Sequence, residues 1–284
     1  MCRTGGRRCP SSTDPAHIAE YNAKRRQKYA AKTGGKPSSA SSLQALFQPI
    51  DEPRFNVLFD QAAMDRFKEE TELFRSAITK PEYEVFDTYD DNFDPTNSEQ
   101  EALMSYTENG YRNVRDYLLD HEGQVEPGSH ADKVISLLDS ALRQATPPEE
   151  SRMLYRGMAV PRDVKNENVT QWIADKFPVG GVVSQHNYMS TSLSSSTPIG
   201  FLGLQSAEEE NRRVVMEIVS KKGAPLGDNV SVHGVSESEI LIPRDARFKV
   251  AAVHSKVDYV YDAGLGDAYE LTVIQLVDAE EEEK

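Results

Sequence analysis

Only two cysteines, Cys2 and Cys9, occur in 284 residues, both near the start of the chain, so no disulfide framework is available. With His17 they would make only part of a zinc ligand set, and no metal is expected. The six histidines show no H-E-x-x-H spacing. No apolar run approaches the ~20 residues of a membrane span. Arg3, Arg7 and Arg8 have no apolar stretch behind them, so a cytoplasmic protein without a secretion signal is the expectation. G-x-G-x-x-G is absent, and Gly34-Gly35-Lys36-Pro37 lacks the leading glycine and the Ser/Thr of a P-loop, which removes the two commonest phosphate cradles. Positive charge is outnumbered beyond the first residues. The net charge is -14, yet residues 1–36 carry nine Lys or Arg against Asp14 and Glu20, a net +7 that leaves -21 for the rest. Such a body repels nucleic acid, while the basic segment is either solvated or a weak polyanion contact.

What is present divides the chain. Residues 1–45 are rich in Gly, Ser, Pro and basic residues, with a short helix-like stretch over 15–31, and read as a basic, disordered tail. Residues 46–279 form the folded domain, and the acidic 280–284 a solvated tail. Over 60–148 the apolar period is helical: Met64, Phe67, Thr71, Phe74 and Ile78 share one face, Leu103, Thr107, Tyr111, Val114 and Leu118 a second, Val134, Leu138, Ala141 and Ala145 a third. Pro147-Pro148 ends the last helix, and the acidic stretch 87–98 is a loop. After Pro148 the period becomes two, with strands expected over 153–158, 182–193, 213–219, 237–243, 247–257 and 268–277. Helices first and strands afterwards predict an α+β fold, a helical lobe (60–148) packed on a strand-rich, β-sandwich-like core (152–277), because a doubly wound parallel sheet would alternate the two.

Three short motifs follow one another on the expected strands: Leu154-Tyr155-Arg156-Gly157, Tyr188-Met189-Ser190-Thr191-Ser192 and Glu237-Ser238-Glu239. Residues two apart on a strand point the same way, so Glu237 and Glu239 would face one cleft at a cost that a cation or a charge-developing substrate would relieve. Arg156, an arginine inside an apolar strand, offers a fork suited to phosphate oxygens. Ser190 and Ser192 share a face, where a hydroxyl can hold a carboxylate in place. Singly each motif is weak. Glu82/Glu84 and Glu208/Glu210 repeat the acidic spacing in surface-like settings.

In this order, over roughly residues 131–277, the motifs resemble the Arg-Ser-Glu clade of mono-ADP-ribosyltransferases, which includes bacterial toxins and phage-encoded enzymes. The flanking Glu239-Ile240-Leu241-Ile242-Pro243-Arg244 and Phe248-Lys249-Val250 read similarly. The resemblance implies a fold of the ADP-ribosyltransferase type and an enzyme that moves ADP-ribose from NAD, its substrate, to an arginine of a target protein without a metal. By the same resemblance Glu239 is catalytic, binding the nicotinamide ribose 2'-hydroxyl and stabilising an oxocarbenium-like transition state, while Glu237 orients and deprotonates the acceptor arginine. Arg156 would clamp the NAD phosphates and Gly157 would offer its backbone to the nicotinamide amide. Ser190 would position Glu239, Thr191 and Ser192 would support the pocket, and Phe201 would stack on nicotinamide. His233, just before the acidic motif, lies where the family recognises targets. Gly180-Gly181 and Glu208-Glu209-Glu210 match no family role and read as a turn and a solvated face.

Two other functions fit the same residues. An NAD glycohydrolase would use water in place of the acceptor, and a non-catalytic module would dock on a polyanion through residues 1–36. Intact Arg156, Ser190 and Glu239 argue against a degenerate core.

Overall fold

Apolar stripes at helical spacing and acidic, serine-capped N-termini build the first part of the chain. In the computed structural model, residues 47, 54–55, 61–80, 98–202, 212–228, 230–231, 237–262 and 267–279 are described. Helix α1 (Gln61–Ala77) buries Phe67, Thr71 and Phe74, with Ile78 just beyond its end. Helix α2 (Glu99–Ser105) starts at Ser98, whose hydroxyl accepts from the Glu101 N–H at 3.2 Å, satisfying one of the donors a helix start leaves open. Thr79 and Glu99 exchange two hydrogen bonds, backbone N–H to side chain in each direction, at 2.7 and 3.0 Å, tying the end of α1 to the start of α2. A π-helical turn, Tyr106–Gly110, leads without a break into α3 (Tyr111–Asp120). Helix α4 (His130–Arg143) is capped by Ser129 and buries Val134, Ile135, Leu138, Ala141 and Leu142. These faces close one core around Tyr188, Ala224, Leu226 and Leu241 from the strands, which packs the lobe onto the sheet.

The strands are β1 (Arg54–Phe55), β2 (Arg152–Ala159), β3 (Val182–Ser184), β4 (Met189–Ser192), β5 (Arg213–Ser220), β6 (Ala224–Leu226), β7 (Glu239–Ile242), β8 (Arg247–Asp262) and β9 (Asp267–Asp278). They run in the order β1-β8-β9-β5-β2-β4-β7-β6, with β3 also on β8; β5–β9 and β1–β8 are parallel, the other pairs antiparallel. Five ladder steps separate β8 from β7, about 24 Å in a flat sheet. Only residues 243–246 connect them, a reach of roughly 18 Å. The sheet therefore curls back on itself, and Ile240 and Ile242 of β7 share a core with Phe248 and Val250 of β8 and Ile274 and Leu276 of β9. Register shifts along β8–β9, between Val250 and Ala252 and between His254 and Val257, supply the bending. The α+β architecture and its sandwich-like core match the expectation.

Two of the expected strands depart most from it. Residues 182–193 are two strands, because the chain leaves β8 after Ser184, joins β7 at Met189 and meets β2 at Ser192. Ser184-Gln185-His186-Asn187, four polar residues in a row, fall at this bend. The strand expected from Glu237 begins at Glu239, because Ser238 takes a left-handed backbone, φ 47°, that no strand accommodates. Two helices inside the β region, α5 (Val169–Lys176) and α6 (Ser196–Phe201), were not anticipated; α5 buries Val169 and Ile173. Gly180-Gly181 is a turn: Gly180 has φ 82° and donates to Val250 O at 2.8 Å, while Val250 N donates to Gly181 O at 2.9 Å. The segments holding Cys2, Cys9, His17, the basic residues of 1–36, the loop 87–97, Glu208-Glu209-Glu210, His233 and 280–284 lie outside the described residues.

Candidate active site

Strands β2 and β4 share a single ladder pair, Tyr155 with Ser192, before they part. Arg156, the next residue of β2, reaches across the gap and donates from Nη1 to the Ser190 carbonyl at 2.7 Å. The parting opens a cleft of about 520 Å³, a size usual for a small-molecule site. Arg156, Gly157, Ser190, Thr191, Ser192, Glu237 and Glu239 all line it, so the three motifs meet in one crevice although 83 residues separate Arg156 from Glu239. Phe201 ends α6; of its side chain nothing is described.

The two glutamates are held differently. Glu239 is 7% exposed and opens β7, paired on one side with Ser192 of β4 and on the other with Leu226 of β6. Glu237 is half-buried in the turn before it. Its position comes from the left-handed Ser238, not from strand alternation: both acids still line the cleft, by a route other than the one their spacing suggested. The Glu237 carbonyl accepts from Ser192 Oγ at 2.6 Å and the Ser238 carbonyl from Leu193 N at 3.1 Å. Thr191 turns its hydroxyl to the Ile240 carbonyl, 2.7 Å, and thereby braces β4 against β7.

Gly157 admits α6. A Cβ there would stand 2.7 Å from the Pro198 carbonyl oxygen and 3.1 Å from Leu202 Cγ, closer than a backbone contact allows. Only the bare backbone lets the helix after Ser-Thr-Ser close one wall of the cleft.

The opposite wall comes from the helical lobe and was not read from the sequence. Tyr106, Thr107, Glu108, Asn109, Tyr111, Arg112 and Arg115 line it, all from the π-helical turn and the first turns of α3. Tyr106 is buried and close enough to Ser190, Arg156 and Glu239 to feel all three. Burial pushes its phenol well up from the ordinary tyrosine value; Arg156 opposes the shift and Glu239 adds to it. Burial likewise lowers the Arg156 guanidinium, against the pull of Tyr106 and Glu239. Arg112 lies over the Tyr111 ring, 5.6 Å from its centroid, and donates to its hydroxyl at 3.0 Å. A signal existed: Thr107, Asn109 and Gly110 interrupt an amphipathic helix with poor helix formers, and π turns favour functional sites.

A partly buried relay supports the floor. Tyr188, edge-on to Tyr106 with ring centroids 5.6 Å apart, donates to Asp139 Oδ1 at 2.6 Å. Asp139 in turn accepts the Arg244 fork at 2.9 to 3.2 Å, and Arg244 Nη1 donates to the Gly123 carbonyl at 3.1 Å. Among the described residues no cluster of His, Cys, Asp or Glu could hold a metal ion, and no helix is long and apolar enough to cross a membrane.

Comparison with known proteins bears on this crevice. No curated protein sequence matches the chain. Among solved structures, Plx2a, an ADP-ribosyltransferase toxin from Paenibacillus larvae, superposes with a TM-score of 0.52 at 19% identity, covering 78% of this chain and 96% of its own. The enzymatic component C2-I of the C2 toxin from Clostridium botulinum gives 0.53 at 19% identity over 78% of this chain. This chain spans about half of C2-I, 48% of its length. At such identity these likenesses establish the fold. The family model for the ADP-ribosyltransferase exoenzyme matches residues 64–271, a stretch from within α1 into β9 that contains every cleft residue named above. The chain therefore belongs to the ADP-ribosyltransferase exoenzyme family.

Proposed function

We infer that the cleft binds NAD and transfers its ADP-ribose to an arginine of a target protein, with release of nicotinamide, in the manner of the Arg-Ser-Glu clade. The observation that carries this reading is the meeting of Arg156, Ser190, Glu237 and Glu239 in one crevice whose walls also present Arg112 and Arg115. NAD asks for cations near its diphosphate and an anion near its nicotinamide ribose, and the donor set suits both. Arg156 supplies the fork for phosphate oxygens, Gly157 a bare backbone for the amide, and Phe201 a ring for the nicotinamide. Ser190 positions Glu239, and Tyr106 lines the cleft beside both.

The bond between ribose C1' and the nicotinamide nitrogen breaks with its electron pair leaving on nicotinamide, and the buried Glu239 carboxylate stabilises the cationic ribose. An arginine guanidinium, with a pKa above ~12, is no nucleophile until it loses a proton. Glu237 takes that proton as the guanidine nitrogen closes on C1'. The test is adenine-labelled NAD with and without an arginine acceptor, following label on the acceptor and nicotinamide release. Glu239→Gln should lose both by roughly 10²- to 10³-fold, the scale of one preorganised electrostatic contact. Glu237→Gln should lose labelling far more than nicotinamide release. If both variants label arginine at the wild-type rate, the mechanism is wrong; if wild type releases nicotinamide but labels nothing, the enzyme is a glycohydrolase.

A further inference from the structure

We propose that Ser192 is a positioning residue for Glu237, and so sets how far the enzyme favours transfer over hydrolysis. The inference rests on the acceptor role proposed for Glu237. Glu239 needs no help from a hydroxyl to hold its backbone, since it is a ladder residue between Ser192 of β4 and Leu226 of β6. Glu237 lies before the ladder begins, beyond a left-handed Ser238. Its carbonyl is held by the hydroxyl of Ser192, 2.6 Å away on a side chain whose residue is 3% exposed. The same oxygen accepts from Ser194 N at 2.9 Å, which leaves its proton directed at Glu237. Leu193 N fixes the next carbonyl, that of Ser238, at 3.1 Å. Residues 192 and 193 thus grip consecutive carbonyls of the turn. The backbone grip survives any substitution; the hydroxyl grip does not. Without it the Glu237 carbonyl loses a donor, and the carboxylate that must meet an acceptor guanidine loses its aim, whereas Glu239 keeps its strand.

The experiment compares Ser192→Ala, Ser192→Cys and Ser192→Thr with wild type, measuring arginine labelling and nicotinamide release in the same reactions, with melting temperature as the check on folding. The expected result is a fall of roughly tenfold in the ratio of labelling to release for the Ala variant, the scale of one buried hydrogen bond. The Cys variant, nearly isosteric but a weak donor, should fall between, and Thr should restore the ratio. A ratio within twofold of wild type in both Ala and Cys overturns the assignment, whether the two activities fall together or stay. So does a Thr variant that leaves the ratio low. Wild-type protein that labels no arginine would instead defeat the proposed function, a separate outcome visible before any variant is made.

Discussion

Arg244 is the side chain whose loss should be felt furthest from where it sits. Its fork donates three hydrogen bonds of 2.9 to 3.2 Å to Asp139 and a fourth of 3.1 Å to the Gly123 carbonyl, joining the β7–β8 link to α4 and the end of α3. Both side chains are largely covered, at 24% and 21% exposure, so the pair lies between the surface case, worth about 0–1 kcal/mol, and the fully buried one, where removing a partner costs about 3–5 kcal/mol. Arg244→Gln should therefore cost about 2–3 kcal/mol. At roughly 2–4 °C per kcal/mol for a chain of this size, the melting temperature should drop by about 4–12 °C. Arg244→Lys keeps the charge but not the planar fork and should recover less than half. Urea denaturation of Arg244→Gln, Asp139→Asn and the double variant gives the coupling energy, expected at 1 kcal/mol or more. Additivity within about 0.5 kcal/mol would show that the fork is not the tie inferred from its geometry.

Gly157→Ala should push α6 off β2, since the new methyl would press on the Pro198 carbonyl at 2.7 Å. A loss of about 1–3 kcal/mol is expected, together with weaker NAD binding by titration, and a variant that melts and binds like wild type would refute the close-approach reading. Burial pushes the Tyr106 and Tyr188 phenols up, for Tyr188 with the help of Asp139. Tyrosines in the unfolded chain ionise near pH 10 while these stay protonated, so the stability they contribute is intact below about pH 10 and lost as pH rises above it. Denaturant midpoints at pH 8 and pH 10.5 should show a smaller alkaline loss in Tyr188→Phe than in wild type; equal slopes would count against the burial argument.

The helical stripes were legible because burial of one face leaves a period that a sequence displays openly. Phe67, Thr71 and Phe74, or Val134, Leu138 and Ala141, are buried as their spacing requires. The three motifs were legible because each combines residue types that an apolar strand does not otherwise carry. Geometry that depends on partners was not. The split of 182–193 follows from β3 joining β8 while β4 joins β2 and β7, a fact about distant strands. The turn at Ser238 hid behind an alternation that would serve a strand equally well. β6, three residues including Pro225, is too short to register, and the lobe-side wall of the cleft was missed because Tyr106 was given no place on the stripe built from Leu103, Thr107 and Tyr111.

That wall depends on one surplus residue. In the π turn the Tyr111 N–H bonds back to the Tyr106 carbonyl, five residues away instead of four, so the screw is wound out by one amino acid between α2 and α3. Deleting one residue between Tyr106 and Gly110 would let the segment tighten to ordinary pitch, leaving the helices on either side nearly in phase but drawing the bulged backbone in from the cleft. Val114 and Leu118 would keep their place in the core, while the residues that the bulge presents to the cleft would lose theirs. The surplus residue therefore serves the crevice, not the packing of the lobe.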